Sequence, residues 1–413
     1  MRGIIFLAPF RARRLAMKKS ITGSAACGAV KIALIGSTGS IGRQAIEVAL
    51  AQPDKFRIVS MAAASSVSLF EEQLNAVKPD YAALADAEAA NSLHEVPSGT
   101  RFAGGEEAAL AAASYGEADV VLVAAGGFAG LKYSLEAIGA GKTLALANKE
   151  TLVCGGDLVM PLIKQKNLSL RPVDSEHSAI WQCLGFDLSR PFKRLIITAS
   201  GGPFKNFTHE QLKCVTPAMA LANPTWNMGD KITVDSATML NKGFEIIEAH
   251  HLFGADYGSI SAVIHPQSIV HSMVEFDDGA VLAQLSHPTM KLPIQLALTC
   301  PDRAPLKGAE LDFTRALSLD FSPIEAGRFP CFELALACAR AGGTLPCALN
   351  AAGEVAVRAF LSGDIKFTEI VEVIRRAAEA ERGEAVTSYA QLCEVDARAR
   401  LAAKGAIAAL GNN

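Results

Sequence analysis

The sequence predicts an α/β protein in three parts: an N-terminal Rossmann-like unit, a central α/β unit with its own sheet, and a C-terminal helical unit. Three observations predict it. Residues 31–35 are a short apolar run, followed at once by Gly36-Ser-Thr-Gly39-Ser-Ile-Gly42 and then by helical periodicity over 43–51. Further short apolar runs alternate with helix-like segments, which is the pattern of a doubly wound sheet. From Cys331 to Asn413 helical patterns dominate. The expected layout is an extension over 1–30, a dinucleotide-binding unit over 31–173, a catalytic unit over 174–299, a linker over 300–327 and a helical unit over 328–413.

The composition agrees with this layout. A chain of 413 residues, 50% apolar and 20% charged, is long enough for two or three domains with ample core. A net charge of −3 gives no electrostatic reason to expect nucleic acid or an anionic membrane as partner. The nine cysteines are scattered and form no Cys-x-x-Cys, as expected of thiols in a reducing, cytoplasmic setting. No apolar run is long enough to span a bilayer. The stretch 1–10, apolar but for Arg2, precedes Arg11, Arg13 and Arg14, the reverse of a secretory signal, and residues 1–30 carry no acid. Disordered extension and organelle transit peptide are both compatible with that stretch.

The first strand, glycine turn and helix form the context a dinucleotide fingerprint requires, although the spacing is Gly-x-x-Gly-x-x-Gly. Such glycines permit a tight turn and close approach of a pyrophosphate to the helix that follows. Residues 56–61 read as the second strand, ending in Ala62-Ala-Ala64-Ser65-Ser66. No acid is present there for a ribose hydroxyl. Ser65 and Ser66 can hydrogen-bond a 2′-phosphate, which favours NADP. Residues 81–85, 118–125 and 143–147 read as further strands, with a helix over 131–140. Asn148, Lys149 and Glu150 close the last of these strands, where ligands collect in such folds; an ordinary polar loop is the alternative.

Residues 168–173 alternate like a strand and lead into Asp174-Ser-Glu176-His177. If the chain stays extended, Asp174 and Glu176 point to one side, with Ser175 and His177 on the other. Paired carboxylates favour a shared hard cation, Mg²⁺ or Mn²⁺. A solvated strand end is the alternative. After a strand at 195–198, Ser200-Gly-Gly exposes successive N–H groups beside a hydroxyl, the makings of an anion nest. Asn223-Pro-Thr-Trp226-Asn-Met228-Gly229 reads as a mobile flap over 221–230, with a buried core Trp as its rival. Ser236, Asn241 and Lys242 then offer donors and a charge for phosphate. Glu245 and Glu248 lie three apart, as on one helical face, and a third carboxylate would complete the cation site. Residues 263–274 read as a single strand placing His265 and His271 on one face, in structural or interface roles.

In their order along the chain, eight motifs resemble the 1-deoxy-D-xylulose 5-phosphate reductoisomerase family. They are the glycine turn at 36–42, Leu146-Ala-Asn-Lys-Glu150, Pro172-Val-Asp-Ser-Glu-His177, Ser200-Gly-Gly-Pro-Phe204, Pro224-Thr-Trp-Asn-Met-Gly229, Val234-Asp-Ser-Ala-Thr-Met239, Asn241-Lys-Gly243 with Glu245, and Ile264-His-Pro-Gln-Ser268. The resemblance implies NADPH, one divalent cation (Mg²⁺ or Mn²⁺), a small phosphorylated sugar as substrate and a homodimer. It makes Asp174, Glu176 and Glu245 the metal ligands, and Lys149 a catalytic group near the reacting carbons. Ser175, Glu176, Ser200, Asn223, Trp226, Ser236, Asn241, Lys242 and Glu245 become substrate contacts. Thr38, Gly39, Ser40, Ile41, Ala64, Ser65, Ser66, Asn148, Glu150 and Gly229 become cofactor contacts. Three departures stand out. Asn223 replaces a family His and cannot carry a proton at neutral pH. Ala64-Ser65-Ser66 replaces a more polar trio. Pro288-Thr-Met-Lys291 replaces Pro-Asp-Met-Arg.

Overall fold

A computed structural model of the protein describes residues 28–222 and 228–411. The N-terminal sheet is built from β1 (Val30–Ile35), β2 (Phe56–Ala63), β3 (Tyr81–Leu84), β4 (Arg101–Gly104), β5 (Val120–Val123), β6 (Thr143–Leu146) and β7 (Leu170–Pro172). Its order is β4-β3-β2-β1-β5-β6-β7, and every neighbouring pair is parallel. The crossovers are α1 (Ser40–Ala51), α2 (Val67–Val77), α3 (Ala87–Asn91), α4 (Glu106–Ala113), α5 (Gly130–Gly139) and α6 (Glu150–Gln165). The strands read as near-continuous apolar runs because helices cover both faces. One face packs Ile32, Leu34 and Leu122 against Ile46, Phe70 and Leu74 of α1 and α2. The chain leaves β1 toward β4, then returns to β5 beside β1. That reversal makes a crevice at the carboxyl ends of β1 and β5, where doubly wound folds receive ligands.

The central part carries α7 (Ser175–Cys183), β8 (Arg194–Ala199), α8 (His209–Leu212), α9 (Pro217–Leu221), α10 (Asp230–Ala237) and α11 (Leu240–Phe253). It continues through β9 (Ile260–Ile264), β10 (Val270–Glu275), β11 (Val281–Leu285) and α12 (Lys291–Thr299). Its mixed sheet runs β11-β10-β8-β9-β12, with β12 limited to Ser322–Pro323. Four helices complete the chain: α13 (Pro330–Ala341), α14 (Leu345–Ser362), α15 (Ile370–Glu379) and α16 (Tyr389–Leu410). A core including Leu240, Phe244, Ile247, Ala335, Leu349 and Phe360 joins these helices to α11.

Two local readings are corrected. Residues 174–177 are not extended. The chain turns into α7 at once, and Asp174 is its N-cap, with Oδ1 accepting from Ser175 N at 2.9 Å. Residues 263–274 are not one strand. Pro266 follows β9 and Ser268 takes a positive φ of 51°, so a tight loop separates β9 from β10. His265 fixes that loop: Nε2 accepts from Ile269 N and Val270 N at 3.2 and 3.1 Å, and Nδ1 donates to the Asp320 carbonyl at 2.9 Å. Asn148 and Lys149 follow β6 directly, and Glu150 opens the 16-residue α6. Gly155, at φ −128°, kinks that helix.

Candidate active site

The site assembles at the carboxyl ends of the first sheet. Gly36 ends β1 at φ +90°, and a Cβ there would strike the backbone of Ala124 and Ala125. A Cβ on Gly42 would strike Gly36 O and Ser37. The turn therefore admits no larger residue at either place, and its backbone stands open to a ligand. Thr38, Gly39, Ser40 and Ile41 line one end of a cleft of ≈ 760 Å³. The same cleft is lined by Lys149, Asp174, Ser175, Glu176, Ser200, Met228, Gly229, Ser236, Asn241, Lys242 and Glu245.

Three elements bring the carboxylates together. Asp174 caps α7, Glu176 stands in its first turn, and Glu245 lies on the second turn of α11, 1% exposed. Ligand oxygens of all three fall within 4.8 Å of one another. Two lysines thread between them. Lys149 Nζ lies 2.8 Å from Asp174 Oδ2, 3.4 Å from Glu245 Oε1 and 2.7 Å from Asn241 Oδ1. Lys242 Nζ lies 2.7 Å from Glu176 Oε1 and also donates to Glu245 Oε2. Burial alone would push the Glu176 carboxyl up, but the charge and hydrogen bond of Lys242, helped by Ser175 and Lys149, hold it well below the usual range. Burial and the neighbouring Glu176 push Glu245 up to about 7. Burial acts to discharge Lys149, yet Asp174, Glu245 and Glu248 outweigh it and hold the ammonium. An oxygen-only donor set converging in this way fits a hard divalent cation.

His177 ties the two ligand-bearing helices together. It is fully buried, and its Nε2–H donates to the Glu245 carbonyl at 2.8 Å. A carbonyl can only accept, so the proton is on Nε2 and Nδ1 is a lone pair. Nδ1 faces Glu248 Oε2 at 3.5 Å, and burial keeps the ring neutral by lowering its pKa. Burial also holds the Glu248 carboxyl well above its ordinary range.

The Ser200-Gly201-Gly202 turn has the anion-nest form, with Gly201 and Gly202 at φ +82° and +65° and Gly202 N–H donating to Ser200 Oγ at 3.3 Å. Arg328 anchors it by donating to the carbonyls of Phe204 and Lys205 at 2.7 and 2.9 Å. Asn148 lies behind the cleft, 2% exposed. Its Nδ2 donates to Gly127 O at 3.0 Å and Glu150 Oε2 at 2.7 Å. Ala64, Ser65 and Ser66 are exposed at the end of β2, away from the cleft lining. Asn223 and Trp226 lie outside the described residues.

Arg43, Thr198, Met239, Ser268 and His271 also line the cleft without having been read as site residues. Only Arg43 carried a signal, as a lone cation one position after the last glycine of the turn.

A doubly wound parallel sheet whose glycine turn opens into the same cleft as a carboxylate–lysine cluster defines a dinucleotide-dependent oxidoreductase with a cation-assisted site. The comparisons make the class specific. The chain belongs to the 1-deoxy-D-xylulose 5-phosphate reductoisomerase family. Residues 32–156 match the model of that enzyme, and residues 170–253 and 285–402 match models of its C-terminal domains. The reductoisomerase of Pelotomaculum thermopropionicum is 47% identical over 372 residues, covering 89% of this chain and 96% of that protein. The Protochlamydia amoebophila reductoisomerase is 45% identical over 369 residues, with the same two coverages. Among solved structures, the Zymomonas mobilis reductoisomerase in complex with NADPH superposes at a TM-score of 0.86, with 37% identity, covering 92% of this chain and 99% of that one. A reductoisomerase in complex with NADPH, fosmidomycin and magnesium gives 0.85 at 35% identity, with the same coverages.

Proposed function

We propose that the chain converts 1-deoxy-D-xylulose 5-phosphate to 2-C-methyl-D-erythritol 4-phosphate, using NADPH and one divalent cation, Mg²⁺ or Mn²⁺, in non-mevalonate isoprenoid precursor synthesis. One observation carries this reading: the glycine turn, the three carboxylates and the Ser200 nest share a single cleft. Relatives described with NADPH and magnesium support both cofactors. When bound, the cation supplies Lewis acidity at adjacent substrate oxygens and NADPH supplies hydride.

The remaining work falls to the protein's own side chains. Asp174, Glu176 and Glu245 would hold the cation. Ser200, Ser236, Asn241 and Lys242 present hydroxyl, amide and ammonium donors to the substrate phosphate. Ser175 and Glu176 stand beside them, at the substrate hydroxyls. Lys149 Nζ, kept charged by its three acid neighbours, orients the reacting oxygens from the wall nearest the sheet. Thr38, Gly39, Ser40, Ile41 and Gly229 frame the nicotinamide cofactor, with Ala64, Ser65 and Ser66 toward its adenosine end. Asn148 and Glu150 hold that wall from behind. Residues 31–173 thus serve the cofactor, 174–299 the cation and substrate, and 328–413 brace the others.

A homodimer fits the surface. β11 is an edge strand with Val281 and Leu282 49% and 46% exposed, and Phe313 on the 300–327 segment is 70% exposed. No helix among the described residues is long and apolar enough to cross a membrane, and the described cysteines are free thiols, which suits the cytoplasm. The test is oxidation of NADPH, followed by its absorbance, with the phosphorylated deoxyxylulose and Mg²⁺ or Mn²⁺. Absence of turnover under those conditions refutes the assignment.

A further inference from the structure

We infer that Arg43 is an affinity-determining residue for the cofactor, pairing with the pyrophosphate of NADPH; this rests on the dinucleotide reading of the cleft. Ser40, Arg43, Gln44 and Glu47 all line the cleft. Their spacing of three, four and seven puts them on one face of α1. That face is therefore the wall running away from the glycine turn, at the point where a pyrophosphate would rest.

The charge balance of the wall singles out Arg43. Lys149 and Lys242 also line the cleft, but both stand in the carboxylate cluster, at the substrate end of the proposed site. His271 also lines the cleft, and burial lowers its pKa. Glu47 is the acid one turn from Arg43 and its expected i, i+4 partner. Its carboxylate is instead paired with Lys291 at 2.6 Å. Arg43 is left exposed, with no ion pair or side-chain hydrogen bond among the described residues. Pro288, Thr289 and Met290, which also line the cleft, carry no charge, and the adjacent Lys291 is spent on Glu47. An unpaired fork of five donors beside a glycine turn is suited to a dianionic group. Ser65 and Ser66 lie at the end of β2, off this wall, so the 2′-phosphate and Arg43 belong to different ends of the cofactor.

The experiment compares the full chain with Arg43→Gln and Arg43→Lys, measuring NADPH and NADH affinity by nicotinamide fluorescence. Arg43→Gln should weaken both cofactors about tenfold and in equal proportion, and added salt should then matter less to NADPH binding. Arg43→Lys should recover most of the loss. Turnover at saturating NADPH, and KM for the sugar phosphate, should stay at the parent values, which separates this role from a structural one. Unchanged affinity for both cofactors overturns the proposal. Weakening confined to NADPH overturns it as well, because Arg43 would then read the 2′-phosphate. If the parent chain binds neither cofactor, the dinucleotide reading itself fails, and this inference with it.

Discussion

Glu245→Gln is the sharpest probe of the candidate cation site. The substitution is isosteric and removes one charge. With all three acids ionised, as a bound cation would require, three carboxylates face two ammonium groups in the parent, leaving the cluster one negative charge in excess. In the variant two carboxylates face two ammonium groups and the excess disappears. Two unit charges about 4 Å apart interact by about 4 kcal/mol at the effective dielectric of a protein site, and a divalent cation doubles that. Cation affinity should therefore fall by at least about a thousandfold. The fold should survive, because Lys149 keeps Asp174, Lys242 keeps Glu176, and the His177 bond uses the backbone of residue 245. Mn²⁺ titration followed by electron paramagnetic resonance reads the first quantity, and nicotinamide fluorescence reads NADPH affinity, which should not move. An Mn²⁺ affinity within threefold of the parent would refute Glu245 as a ligand. Simultaneous loss of NADPH binding would mean that the two halves of the site are wrongly divided.

Other expectations concern the scaffold. Gly42→Ala would drive a methyl into Gly36 O and Ser37, costing about 1–3 kcal/mol and abolishing NADPH binding; thermal melts and fluorescence titration check both. Gly243→Ala would press on Ala335 across the α11–α13 contact and should lower both stability and turnover, with Ala335→Gly on the other helix restoring them. Burial, with His250 adding to it and Asp157 opposing, pushes His251 down to about 4. The unfolded chain binds that proton near pH 6.5 and the folded chain does not, so stability falls as pH drops from 6.5 toward 4. The loss is about 2–3 kcal/mol by pH 4.5, measured by denaturant unfolding, and His251→Gln should flatten the slope.

Chemistry carried by contiguous residues was legible in the sequence. The strand, glycine turn and helix at 30–51 sit as read, because each part is specified by its own neighbours. The identities of Asp174, Glu176 and Glu245 were legible, but their geometry was not. Four residues are too few to show a period, and the cue that decides them is the acid in the N-cap position followed by Glu176 in the first turn. The helix from Glu150 was hidden by Gly155, Gly156 and Pro161, which read locally as breakers. The shared face expected of His265 and His271 assumed a regular strand, which the loop at Pro266 and Ser268 interrupts. The diversion of Glu47 to Lys291 joins residues 244 positions apart, so no local pattern announces what it leaves to Arg43.

The histidine clasp has a consequence of its own. His177 grips residue 245 by its main chain and leaves the carboxylate untouched. The anchorage of that residue is thus separate from its chemistry. Its acid group can trade an ammonium for a metal ion, or one ion for another, while the helix beneath stays put. Swapping the occupant of the cage then needs only a side-chain rotation and no parting of the two helices.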